Sequence, residues 1–170
     1  MRTLIYTVII FLFFSKLALS FQSSSDGKDV GTGGRDDLSY LNAKNSNFKK
    51  GKDALKQALK YQKKNKLKKA NKRYEKALEY FVLAYDNYPN NIEILNYLGF
   101  TYNAVGDVLM SEIYYRQALL IEPKNPLTNQ KLGELYLNTN KNTLAEERLK
   151  ILSTCDCREY LILKEAFENN

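Results

Sequence analysis

The sequence predicts an all-α fold: a short solenoid of about three helical hairpins closed by a C-terminal capping helix. Three observations carry this. Between Asn91 and Pro126, apolar residues recur three or four apart in two runs separated by Gly106-Asp107. The pattern returns 34 residues later. A last amphipathic run follows Cys157, where an array of hairpins needs a helix over its final apolar face.

The elements follow in chain order. Arg2 precedes an apolar run from Leu4 to Phe14, and Ala18-Leu19-Ser20 places small residues where a signal peptidase reads. Residues 1–20 are therefore expected to be a secretory signal peptide cleaved after Ser20. The run is short for a membrane span of about 20 residues. No Cys follows it, so a bacterial lipid anchor is not expected. Residues 21–47, rich in Ser, Gly, Asp and Asn, read as a flexible linker. Its Gly31-Thr32-Gly33-Gly34 lacks the Lys-Ser/Thr and the flanking strand of a phosphate loop.

A helical domain is expected over 48–170. Ala54, Leu55, Ala58 and Leu59 mark its first helix. After a break near Asn65, Leu67, Ala70, Tyr74, Ala77, Leu78, Phe81 and Tyr85 mark a longer one, ended by Pro89. In the next hairpin Leu95, Leu98, Gly99 and Tyr102 share a face. Asp107 can cap the helix carrying Met110, Ile113, Tyr114, Ala118 and Ile121. Gly99 inside a helix costs about 1 kcal/mol relative to Ala, which suits a point where a neighbouring helix approaches the backbone. The third hairpin opens with Asn125 as cap and Pro126 in the first turn. Its second helix is expected from a Thr143/Glu146 capping box and carries Leu144, Ala145, Leu149 and Leu152. Repeat boundaries fall near 48–89, 90–123 and 124–154. The capping helix spans 157–168, with Asp156 and Glu159 as a possible capping box.

The set Leu95, Leu98-Gly99, Tyr102, Ser111, Tyr115, Ala118 and Pro123 resembles the tetratricopeptide repeat (TPR) over one whole period. Only Leu95 departs noticeably, at a position where the family usually has Trp. Shifting by 34 gives Leu132-Gly133, Tyr136, Ala145, Leu149 and Leu152 in one direction, and Ala77, Phe81, Ala84 and Pro89 in the other. The first copy is irregular, because Lys64, Asn65 and Lys68 fall where Leu, Gly and Tyr are expected. The resemblance covers roughly residues 48–154. Beyond it, Cys155, Cys157, Glu159, Tyr160 and Leu163 resemble the Cys-x-Cys-x-Glu-Tyr-x-x-Leu segment of small secreted bacterial TPR proteins. That likeness implies an exported protein of the periplasm or cell envelope.

Charge is unevenly spread. The whole chain carries +7. Without Arg2 and Lys16 of the signal, 24 basic and 19 acidic residues remain, or +5. Residues 49–76 hold 13 basic residues against Asp53 and Glu75, so this block is +11 and the rest of the mature chain −6. Such a block can attract anions, nucleic acid or an anionic membrane. Against this, its lysines are spaced all round the helices, it has one Arg, and Tyr61 is the only aromatic between Lys49 and Arg73. The chain is also rich in Lys and Asn generally. No nucleic acid is expected as a partner, and anionic membrane contact through 49–76 stands as the lesser reading.

The absence of His excludes a Ser-His or Cys-His dyad and a His-ligated zinc. Paired carboxylates such as Glu146-Glu147 sit where a helix meets solvent. No enzyme activity, cofactor or metal site is expected. Cys155 and Cys157 leave three readings open: a disulfide fixing the turn into the capping helix, a redox or exchange site, or soft-metal binding by two thiolates. The disulfide requires a non-helical turn there.

The TPR resemblance implies a concave groove, lined by the first helix of each hairpin, that takes a segment of a protein or peptide partner. Beside the packing face the second repeat presents Glu93, Asn96, Phe100 and Asn103; the third presents Leu127, Gln130, Glu134 and Leu137. Asn and Gln can bond a partner's backbone, and Phe100 and Leu137 can bury an apolar anchor. The basic carboxylate clamp of chaperone-binding relatives is not matched, since Asn103 and Glu134 occupy this surface. The function implied is a non-catalytic binding scaffold; the alternative is a thiol-redox or soft-metal accessory using Cys155 and Cys157.

Overall fold

The computed structural model describes residues 36–170, with side chains from residue 46 onward. The expected signal peptide at 1–20 and most of the expected linker lie outside the described residues. Among those described there are seven α-helices and no strand. They are α1 (Asp36–Lys63), α2 (Leu67–Asn87), α3 (Ile92–Val105), α4 (Val108–Ile121), α5 (Pro126–Asn138), α6 (Asn142–Leu152) and α7 (Arg158–Glu168). Because α1 begins at Asp36, residues 36–47 are helical rather than part of a linker. Helices α1/α2, α3/α4 and α5/α6 pair as hairpins, α2 meets α3, α4 meets α5, and α7 lies against α5 and α6.

All three hairpins turn in the same way. One residue in each takes a left-handed backbone: Asn65 (φ 54°), Gly106 (φ 92°) and Asn140 (φ 57°). Gly and Asn are the residues that tolerate this. The following amide returns to a tyrosine carbonyl: Lys66 N to Tyr61 O at 2.9 Å, Asp107 N to Tyr102 O at 2.9 Å, and Lys141 N to Tyr136 O at 2.8 Å. These bonds satisfy carbonyls that a helix end leaves unpaired.

Three helix starts use side-chain caps. Asn91 Oδ1 accepts from Ile94 N, Asp107 Oδ1 from Met110 N and Asn125 Oδ1 from Thr128 N, each at 3.0 Å. Asn125 is followed by Pro126 in the first turn, as expected. The other two expected caps are corrected. Helix α6 opens at Asn142, with Lys141 before it and no side-chain cap, because the Asn140 turn sets the start ahead of Thr143. Helix α7 opens after Cys157, whose extended backbone (φ −132°, ψ 148°) leaves Asp156 one residue too early to cap it.

Close helix contact is set at three glycines. A Cβ on Gly51 would lie 2.5 Å from the Phe81 ring, one on Gly99 2.6 Å from the Tyr115 ring, and one on Gly133 2.5 Å from Leu163. Phe81 and Tyr115 are 34 positions apart, so Gly51 is the counterpart of Gly99. This corrects the reading of the first repeat. Its first helix is not degenerate at Lys64, Asn65 and Lys68; it carries its packing glycine earlier, and the hairpin is longer. Tyr61 lies 10 positions after Gly51 where Tyr102 lies 3 after Gly99, so α1 gains seven residues before the turn. Phe81 lies 15 positions after Lys66 where Tyr115 lies 8 after Asp107, so α2 gains seven after it. Seven residues are about two helical turns, or roughly 10 Å of added length.

The core follows the repeat faces. One cluster joins Leu55, Ala58, Ala77 and Phe81 to Ile94, Leu95, Leu98 and Ala118; a second joins Tyr115, Leu132, Tyr136, Ala145 and Leu152 to Leu163. Ile113, Ile121 and Leu144, expected inside, lie at the surface, and Ser111 and Leu119 are buried instead. Helix α4 is apolar on most sides, so spacing alone leaves its inward face ambiguous.

Candidate functional site

The first helices of the three hairpins line one depression. Leu55 and Leu59 of α1 form one wall. Glu93, Asn96, Tyr97 and Phe100 of α3 form the middle, Leu127 and Lys131 of α5 the far wall, and Tyr115 of α4 reaches the floor. The depression encloses about 370 Å³.

Its aromatic floor is fixed by packing. Tyr97 stacks on Phe81 with ring centres 5.0 Å apart and meets Phe48 edge-on at 5.4 Å. Burial, followed by the nearby Glu93 carboxylate, raises the Tyr97 hydroxyl pKa. Burial and then Glu134 do the same for Tyr115, which is only 2% exposed. Tyr97 thus presents a neutral ring to the depression, with the buried Tyr115 ring beneath it. The Thr128 hydroxyl lies 2.8 Å from Asn96 Oδ1 and 2.9 Å from Asn125 Oδ1, which it serves with one hydrogen. That contact orients the Asn96 amide and leaves its Nδ2 available to a partner's carbonyl. Glu93 and Lys52 form a solvent-exposed pair at 3.7 Å.

The structure brings together Glu93, Asn96, Phe100 and Leu127 and separates the other expected groove residues from them. Gln130 and Leu137 are buried and neither lines the depression. Gly133, between them on the same helix, meets Leu163, and Leu137 shares a core cluster with that residue. The capping helix therefore draws Gly133 and Leu137 of α5 into the core. Gln130 Nε2 donates to Glu134 Oε1 at 2.7 Å, and Lys131 Nζ pairs with Glu134 Oε2 at 2.9 Å, which neutralises Glu134. Asn103 is exposed but does not line the groove.

Sequence reasoning missed Leu55, Leu59, Tyr97, Tyr115 and Lys131 as lining residues. Gly51 was the available signal: it sets the register of α1 and so its concave stripe. The groove also continues along α1 past Lys52, Lys56, Lys60, Lys63 and Lys64, sharing Leu55, Leu59 and Tyr97 with the apolar depression.

At the other end, Cys155 and Cys157 are joined as a disulfide across a Cα separation of 5.3 Å. The turn from Ser153 to Cys157 is non-helical, as such a bond requires. No described cysteine is free.

No protein-family model matches this chain. No curated protein matches it either. Among solved structures it is similar to the first TPR of Spaghetti (RPAP3), determined bound to the HSP90 peptide SRMEEVD. The identity is 15%, the TM-score 0.51, and the match covers 71% of this chain and 93% of that one. This likeness, with the three hairpins, their packing glycines and the capping helix, shows that the chain folds as a short tetratricopeptide-repeat solenoid.

Proposed function

We propose that this protein is an exported, non-catalytic scaffold of the periplasm or cell envelope that holds a segment of a protein partner in its groove. The observation carrying this is the apolar depression of Leu55, Leu59, Tyr97, Phe100, Tyr115 and Leu127, with the Asn96 amide at its edge. A partner's side chain buries against Phe100 while Asn96 holds its backbone. The Spaghetti structure, with a peptide bound, supports use of the fold in this way.

The test is capture of a partner from envelope extract by wild-type protein and by Phe100→Ala. Burial of an anchor side chain is worth about 1.5–3 kcal/mol, so the variant should bind roughly ten- to hundredfold more weakly. Normal binding by Phe100→Ala would exclude the groove. Mass spectrometry of the exported protein should show Phe21 at its start; Met1 there would refute cleavage.

A second reading is a thiol-redox accessory using the Cys155–Cys157 bond, which suits a structural staple equally. A thiol count followed by a reduction-potential measurement separates an exchange site from a structural staple.

A further inference from the structure

The lengthened first hairpin places its charge where the regular hairpins have nothing. Lys60, Lys63, Lys64, Lys66, Lys68 and Lys69 all fall on the stretch about the Asn65 turn, and all are exposed. No acidic residue occurs between Asp53 and Glu75, and among the described residues none of these six lysines pairs with a carboxylate. Elsewhere the fold intersperses its charges: Glu112 pairs with Arg116 and Lys141, and Lys131 with Glu134. At the turn, Leu67 opens α2 with 56% of its surface exposed among the lysines.

The added turns do not need these side chains to hold together. Ala58 and Ala70 are buried between the two helices, and the Tyr74 hydroxyl donates to Gln62 Oε1 across them. The interior of the extension is complete, while its outside is a cationic tip with one apolar residue at its apex.

We propose that this tip docks on an anionic lipid surface. Each lysine ammonium near such a surface strengthens binding by roughly fivefold, and an exposed leucine between them enters the headgroup boundary. Single-stranded nucleic acid is the weaker fit. Tyr61 is half-buried and Tyr74 buried, so the tip offers no free stacking platform, and Arg73 is the only guanidinium in the block. Lys60, Lys63 and Lys64 also border the basic end of the groove, but the inference does not rest on the apolar depression about Phe100.

The chain has no Trp, so Leu67→Trp gives a fluorophore that reports only from the tip. Vesicles of phosphatidylglycerol and phosphatidylcholine in equal parts should shift its emission to shorter wavelength; pure phosphatidylcholine vesicles should not. The shift should vanish at about 1 M salt, where the Debye length is about 3 Å. Replacing the six lysines by Gln in this background should weaken vesicle binding by at least about a hundredfold. Replacement by Arg should preserve it, and Phe100→Ala should leave it unchanged. Circular dichroism checks that each variant keeps its helices. An absent shift, an equal shift on phosphatidylcholine, or a shift indifferent to salt would overturn the proposal. So would displacement of the protein from anionic vesicles by a single-stranded RNA at lower phosphate concentration than the lipid presents.

Discussion

Leu163 of the capping helix occupies the space that a side chain on Gly133 would need, with its Cδ2 2.5 Å from the position of a Cβ. Simple repetition would put Leu149 there, the counterpart of Tyr115; the last repeat instead draws the contact from outside itself. Gly133→Ala should therefore destabilise the protein by about 1–3 kcal/mol through overpacking, despite its better helix propensity. Leu163→Ala should cost about 2–5 kcal/mol. In the Leu163→Ala background, Gly133→Ala should be tolerated or stabilising, a coupling that a double-mutant cycle in urea melts would measure. Simple additivity would mean that the two residues do not share this space.

Leu98→Ala should cost the fold more than Phe100→Ala. Leu98 is fully buried and its truncation should cost about 2–5 kcal/mol. Phe100 keeps part of its surface in the groove and has less burial to lose. Equal shifts in the urea midpoint would place Phe100 in the core and remove it from the binding surface.

The Glu112 carboxyl is held below its ordinary pKa, chiefly by the hydrogen bond from Lys141 Nζ at 2.6 Å, against the opposing effect of burial. Tyr136 and Arg116 add to the lowering. A depressed carboxyl stabilises the fold above its unfolded-state pKa, and that contribution disappears as pH falls through the folded-state value. Thermal melts should thus fall in midpoint on acidification below about pH 4.3, and Glu112→Gln should flatten that limb. An unchanged acid limb in the variant would show that other carboxylates govern it.

At the alkaline end, burial pushes the hydroxyls of Tyr114 and Tyr136 up to about 12. A raised tyrosine contributes stability that is intact below its ordinary value near 10 and lost as pH climbs through the folded one. Absorbance titration should show Tyr114, Tyr136 and the buried Tyr115 ionising later than the exposed tyrosines, with melting midpoints declining above about pH 10. Simultaneous ionisation of all the tyrosines would contradict this.

Cys155→Ser with Cys157→Ser should lower stability by less than the usual 2–4 kcal/mol, because the bond joins residues only two apart. Binding in the groove should survive. Two free thiols in protein isolated from an oxidising compartment would overturn a stapling role.

Much of the fold is legible in the sequence where local chemistry decides it. Asp107 and Asn125 cap the helices they precede, and Gly106 fixes a turn that any reader of the pattern can place. What escapes depends on partners distant in the chain. Gly51 sits among lysines and precedes Ala54 where the later repeats have Tyr102 and Tyr136, so its packing role emerges only from Phe81 lying over it. Leu137 looks like a groove residue until it joins the core cluster of Leu163, and Gln130 until it is found buried against Glu134. Tyr97 becomes a lining residue because Phe48 and Phe81 hold its ring there.

The equal lengthening of α1 and α2 makes the reach of the first hairpin an adjustable dimension. Seven residues fall only about 20° short of two full turns, so each limb re-enters the solenoid with nearly the same face inward. Matched heptads can be added between Leu59 and the turn on one limb and between the turn and Phe81 on the other, moving the tip by about 10 Å per pair while Leu55 and Leu59 keep their wall of the groove. Removing a heptad from one limb alone would leave its partner's turns unopposed and expose Ala58 or Ala70. The hairpin thus behaves as a telescoping arm whose permitted lengths come in steps.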